Sequence, residues 1–106
     1  MPMPRELCRQ RVTVYRPRNG QILRQETEGF YRYRDVWEAD RFRREFLLVL
    51  PEDLPLQPGD RVFDGIGPEQ VDWASFLPVE VPGLSQVRRA CPYRFRGEFH
   101  HWEATD

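Results

Sequence analysis

Apolar and polar residues alternate along much of this chain, and the alternation breaks repeatedly at proline and glycine. From Gln10 to Arg16, Val12 and Val14 alternate with Arg11, Thr13 and Tyr15, the period of a β-strand built on β-branched residues. Pro17 to Gly20 ends that strand, and Asn19-Gly20 predicts a tight turn because both residues tolerate positive φ. Gln21 to Thr27 continues the hairpin, with Ile22 and Leu23 its large aliphatic residues. Glu28 to Trp37 predicts a further strand, with Tyr31, Tyr33 and Trp37 on one face and Arg32 and Arg34 opposite. Arg34 to Glu45 has no glycine or proline, but its apolar positions sustain no helical stripe, so it reads as strand, loop, strand. Phe46 to Leu50 is a continuous apolar run closed by Pro51, the pattern of a strand buried on both faces.

The second half is more heavily punctuated. Pro51 to Gly59 is a loop with three prolines, and Asp60 to Asp64 is a short strand after it. Gly65 and Gly67 make a bend. Glu69 to Leu77 predicts one or two helical turns, opened by Pro68 and closed by Pro78. Val79 to Val81 is extended. Leu84 to Cys91 and Glu98 to Ala104 form a C-terminal hairpin joined by Pro92 to Gly97. The expectation is a mainly β fold, a small β-barrel or β-sandwich of about five to seven strands with at most one short helix. Residues 1–9 form an N-terminal arm and residues 10–106 a single β domain. The expected core includes Val12, Val14, Phe30, Phe46, Leu48, Val62, Val87 and Trp102.

Composition changes this picture in three ways. A length of 106 residues with 40% hydrophobic and 31% charged residues suits one globular domain and argues against a wholly disordered chain. All 16 basic residues are arginines, which pair bidentately and stack on rings. The charge is also uneven: residues 1–50 hold eleven arginines and seven carboxylates, whereas residues 51–106 hold five arginines and ten. Such a dipole suits head-to-tail association. Cys8 and Cys91 make no disulfide framework and match no zinc motif, so they read as reduced thiols of a cytosolic protein. Met1 to Glu6 has no signal-peptide apolar region, and no apolar run is long enough for a membrane helix.

No segment carries a recognisable catalytic motif. His100 and His101, with Glu98 and Glu103 beside them, invite a metal reading. Adjacent residues of a strand face opposite ways, however, so the two imidazoles are not expected to share an ion. Gly65-x-Gly67 lacks the third glycine, lysine and hydroxyl of phosphate loops and reads as a turn. Ser75 and Ser85 lack a nucleophile-elbow context, and Cys91 lacks a third group to orient a Cys–His pair. No catalytic, cofactor-binding or metal-ligating residue is therefore assigned, and the chain is expected not to be an enzyme. Tyr31-Arg32-Tyr33-Arg34 and Tyr93-Arg94-Phe95-Arg96 interleave rings with arginine, as single-stranded nucleic-acid surfaces do, and also as half-buried strands do.

Several segments together resemble a known family. They are Val12-Thr13-Val14-Tyr15 after a short arm, Glu28-Gly29-Phe30, Phe46 to Pro51, Leu56-Gln57-Pro58-Gly59-Asp60-Arg61-Val62 followed by Gly65, and the ending Phe99-His100-His101-Trp102-Glu103. In this order the chain resembles the small minor capsid or head–tail connector (head-closure) proteins of long-tailed phages and prophages. The resemblance implies a β-barrel virion protein, assembled in the host cytoplasm, that closes the DNA-filled head and joins portal or adaptor to tail. It implies no cofactor and no catalytic residue. The expected partners are portal, adaptor and tail proteins together with further copies in a ring; the isolated protein is expected to be a monomer or weak oligomer. Pro51 to Gly59 and Ala39 to Arg44 are then loops that plug or line a channel. The alternative is an OB-like module binding single-stranded nucleic acid.

Overall fold

The computed structural model describes residues 9–106, which hold seven antiparallel strands and no helix. The strands are β1 (Gln10–Arg18), β2 (Gln21–Glu38), β3 (Arg41–Leu50), β4 (Arg61–Asp64), β5 (Leu84–Gln86), β6 (Arg89–Phe95) and β7 (Glu98–Thr105). They form one sheet in the order β5-β4-β1-β2-β3-β7-β6. The two edge strands, β5 and β6, are consecutive in the chain and separated only by Val87 and Arg88. So short a link forces the two ends of the sheet together, and the sheet coils into a barrel-like shell. Val87 marks the closure: it is buried, its N–H donates to the Asp60 carbonyl and its carbonyl accepts from Gly59.

β2 organises the shell. Straight, its 18 residues would span roughly 55–60 Å at about 3.3 Å per residue, yet the longest dimension of the molecule is 44 Å. The strand must therefore bend, and it changes neighbours as it does so. Gln21 to Gly29 pair with β1, and Phe30 to Glu38 pair with β3. Gly29 sits at the switch, where a Cβ would lie 2.7 Å from the Leu50 side chain and 2.8 Å from the Val49 carbonyl.

One core cluster fills the shell. Val12 and Val14 of β1 and Val62 of β4 meet Tyr31, Phe46, Leu48 and Leu50 of β2 and β3, with Leu54, Leu56, Val87 and Ala104. A second cluster lies on the other face of β1, where Tyr15 packs with Phe76 and Leu84 under the long connection from Gly65 to Gly83. β1 is thus buried on both faces. The connection is tied down through polar groups of the strands. Thr13 Oγ1 donates to the Gly65 carbonyl and accepts from the Gly67 N–H, and the Tyr15 hydroxyl donates to the Pro68 carbonyl. The Arg61 guanidinium stacks 3.7 Å from the Trp73 ring centroid and donates to the Trp73 and Phe76 carbonyls. Burial of Arg61 lowers its pKa from the usual arginine value by desolvation.

The mainly β expectation holds, with seven strands, and six of the eight expected core residues are buried. Phe30 is not: it is 39% exposed, and its neighbour Tyr31 points inward, a one-residue slip in face. Trp102 is only partly buried and packs against the cluster from its rim. Several boundaries also move. β1 runs through Pro17 to Arg18, because β4 reaches only as far as Tyr15 and the missing proline N–H faces no strand. Ala39 to Arg44 is not a loop; Ala39 and Asp40 form a two-residue turn with φ of 46° and 64°, and β3 begins at Arg41. Glu69 to Leu77 holds isolated turns rather than a helix, and Val79 to Val81 is turn rather than extended. The last hairpin turns at Arg96-Gly97, with Pro92 inside the edge strand β6, and Leu84 to Gln86 is a separate strand beside β4. Of the expected arm, Met1 to Cys8 lies outside the described residues, and Arg9 is exposed.

Candidate binding surface

Two hairpins extend past the strands that flank them. β3 pairs with β7 only over Leu47 to Leu50, so Arg41 to Phe46 pair on the β2 side alone. β7 meets β3 only over Trp102 to Thr105, which leaves Glu98 to His101 paired with β6 alone.

Strand alternation gives the β2–β3 hairpin two unlike faces. On the inner face the cross-strand pairs are Tyr31–Leu48, Tyr33–Phe46, Asp35–Arg44 and Trp37–Phe42. Tyr31 and Phe46 are buried, Tyr33 is 40% exposed and Trp37 is 66% exposed, so the aromatic stripe emerges from the core towards the tip. Trp37 and Phe42 meet edge to face at 5.3 Å. Between these rings lies Arg44, buried and fully engaged. It forks onto Asp35 at 2.6 and 3.2 Å, donates to the Val81 and Leu84 carbonyls, and lies over the Tyr33 and Phe42 rings. The hydrogen bond from Arg44 holds the Asp35 carboxyl below its usual range. Deeper in, the Tyr31 hydroxyl donates to the Gly83 carbonyl and shares a 2.5 Å hydrogen bond with Ser85 Oγ. Its burial raises its pKa.

The outer face is charged. Arg34 pairs with Glu45, and Arg43 reaches Glu38, Glu45 and Asp106 at 3.3–3.7 Å. The hydrogen bond from Arg34 lowers the Glu45 pKa.

An open cleft of about 1080 Å³ runs beside the unpaired edge of β3. Arg41, Arg43, Arg88 and Arg89 bring cations to it, against the two carboxylates Glu38 and Asp106, both within reach of Arg43, while Phe42, Leu77, Pro78 and Val79 supply its apolar wall. No ion pair joins Arg41, Arg88 or Arg89 to a carboxylate among the described residues. The sequence pattern did not single out this cleft, because its walls come from four separate stretches of the chain, 38–44, 77–79, 86–89 and Asp106. The Arg88-Arg89 pair was its only local signal.

The residues weighed from the sequence are scattered. Tyr31 is buried, and Arg32 and Arg34 lie on the opposite face from Tyr33, so that segment forms no continuous ring-and-arginine surface. Tyr93 and Phe95 are exposed at the other hairpin, with the Arg96 guanidinium 5.3 Å from the Phe95 ring. Gly67 uses its N–H on Thr13, and Ser75 bonds Asp72 within its own turn. Cys91 is exposed and pairs in register with Glu103. The two histidines depart from simple strand alternation. A register shift at Tyr93/Arg94 turns both rings to meet, Nδ1 to Nδ1 at 2.5 Å, with His101 also bonded to Glu103 at 2.8 Å and stacked on Tyr93. Among the described residues, no three His, Cys, Asp or Glu side chains are arranged to hold a metal ion.

Compared with known protein families, characterised proteins and solved structures, the chain gives no match.

Proposed function

We propose that this protein is a structural assembly subunit that joins larger protein bodies, of the head–tail connector kind its sequence resembles. One observation carries the reading: two hairpins reach past their neighbouring strands with exposed aromatic residues, Trp37 on one and Tyr93 and Phe95 on the other. Exposed aromatics on a rigid strand pair are typical anchors for protein interfaces. In this reading the closed shell is the body of the subunit. The hairpins contact portal or adaptor and tail proteins and neighbouring copies in a ring, within a virion assembled in the host cytoplasm. The isolated chain is then a monomer or weak oligomer, because its large aliphatic residues fill its own core and exposed arginine–carboxylate pairs contribute only about 0–1 kcal/mol each. The test is coexpression with the products of neighbouring genes, followed by electron microscopy. A ring seated on a portal or tail end is expected; a protein that stays apart from portal and tail products contradicts the reading.

A second reading, a module for single-stranded nucleic acid, is favoured by the exposed Tyr93, Arg94, Phe95 and Arg96 at the β6–β7 tip. It predicts oligonucleotide binding at low salt that fades steeply as salt rises, and loss of that binding when Tyr93 and Phe95 become Ser.

A further inference from the structure

The unpaired edge of β3 has an unusual combination of neighbours. In a two-residue hairpin the pair flanking the turn is hydrogen-bonded, here Glu38 and Arg41, and bonded pairs then alternate along the strands. Arg41, Arg43 and Glu45 therefore turn their backbone groups to β2, whereas Phe42, Arg44 and Phe46 turn theirs away from it. At Phe46 that outward N–H already has a carboxylate: Asp106 Oδ1 accepts it at 3.1 Å, and Asp106 Oδ2 lies 3.7 Å from Arg43. Beyond Asp106, the backbone groups of Phe42 and Arg44 face the arginine-lined cleft. An exposed strand edge with free donors and acceptors is a template for another strand.

We propose that this cleft takes an extended segment of a partner protein, with acidic and apolar residues alternating, added as a strand to the edge of β3. Each part of the ligand follows from a part of the site. The backbone of the segment bonds to Phe42 and Arg44. Side chains on one face of an added strand fall beside Arg41, which has no carboxylate among the described residues and calls for one; Arg43 on that face already meets Glu38, Glu45 and Asp106, and Arg88 and Arg89 bring two further unpaired cations to the cleft. Side chains on the other face fall towards Phe42 and the 54%-exposed Val79, which calls for apolar residues. The strand edges of a second copy fit poorly: the one-sided stretch of β7, Glu98 to His101, carries a single acid followed by two histidines. The edge strand β6 carries Arg89 and Arg94 and no acid, and β5 is three uncharged residues. The origin of the segment in a larger assembly rests on the function proposed above; its chemistry rests on the cleft alone.

The probes are a fluorescent peptide alternating valine with glutamate, the same peptide with lysine in place of glutamate, and the glutamate peptide N-methylated at every second amide. Anisotropy with the full 106-residue chain is expected to show binding of the first probe only. Arg41→Ser, and separately Arg88→Ser with Arg89→Ser, are each expected to weaken it about tenfold or more, as loss of charge-assisted contacts does. Arg94→Ser with Arg96→Ser, on the other hairpin, leaves it unchanged. Circular dichroism melting of each variant checks that the shell persists, and Arg41→Ala repeats the measurement should Arg41→Ser melt early. Equal binding of the glutamate and lysine peptides, or unaltered binding by the arginine variants, overturns the acidic partner. Retained binding of the N-methylated peptide overturns strand addition. Sedimentation that finds a dimer broken by Arg88→Ser with Arg89→Ser makes a second copy the occupant and overturns the proposal. A ring imaged with neighbouring gene products despite a failed peptide test leaves the assembly function standing and removes only this cleft from it.

Discussion

The two ends of β2 live in different surroundings. Its first half lies against β1, which β4 pairs in turn over Val12 to Tyr15, in a part of the shell where polar groups bond inward. There Asp60, fully buried, accepts both Arg18 Nη atoms and the Gln57 N–H, and Thr13 and Tyr15 bind the connection above them. Its second half enters a hairpin whose outer part is paired on one side only, where the ion pairs are exposed and a tryptophan faces solvent. Strand propensity does not explain the difference, since the aromatic-rich second half is the one that leaves the shell. What differs is whether a side chain's partners come from its own shell, and this separates the residues that hold the fold from those left for a partner.

Substitutions at positions buried in the shell, the base of the β2–β3 hairpin included, should therefore be costly and those towards its tip cheap. The largest effect is expected from Leu48→Ala, at a fully buried core position, which should lower stability by about 2–5 kcal/mol in urea unfolding. Asp60→Ala comes next: it removes the carboxylate that bonds Arg18 and the Gln57 amide and should cost about 1.5–3 kcal/mol. Tyr31→Phe leaves the buried Ser85 hydroxyl without its Tyr31 partner and should cost about 1–3 kcal/mol. If Tyr31→Phe is neutral, the inner face of the hairpin is not anchored to β5 as described.

Towards the tip of the hairpin the effects shrink. The Asp35 pKa is depressed below 3.8 by the Arg44 hydrogen bond, so the pair stabilises the folded state above that value, and the gain is lost as pH falls through the folded pKa. Asp35 is half exposed, so Asp35→Asn should cost under about 1 kcal/mol at neutral pH. The gap to the parent protein should begin to close below pH 3.8 and vanish in stronger acid, which melting curves across pH will follow. Trp37→Ser should be the smallest change, under about 0.5 kcal/mol, because the ring is largely in solvent. A larger loss would place Trp37 among the residues that hold the fold.

Legibility in the sequence followed the same division. The period of Val12 and Val14, the Asn19-Gly20 turn and the Phe46 to Leu50 run were readable because local pattern and tertiary burial agree there. Ala39-Asp40 was not, because neither residue is glycine and both nevertheless take positive φ, so a strand pair was taken for a loop. Phe30 and Tyr31 are both apolar enough for the core, and only the register against Val49 and Leu48 decides between them. Pro17 and Pro92 read locally as breaks, yet each lies within a strand, Pro92 on an edge. The cleft was invisible because Arg41, Val79 and Arg88 meet only once the shell closes through Val87.

Amide hydrogen exchange on the isolated protein tests the division most directly. Val12, Val14 and Leu48 are expected to exchange only by global unfolding, whereas Phe42 and Arg44, facing the cleft, exchange far faster without it. Equal protection at Phe42, Arg44 and Leu48 would contradict the account.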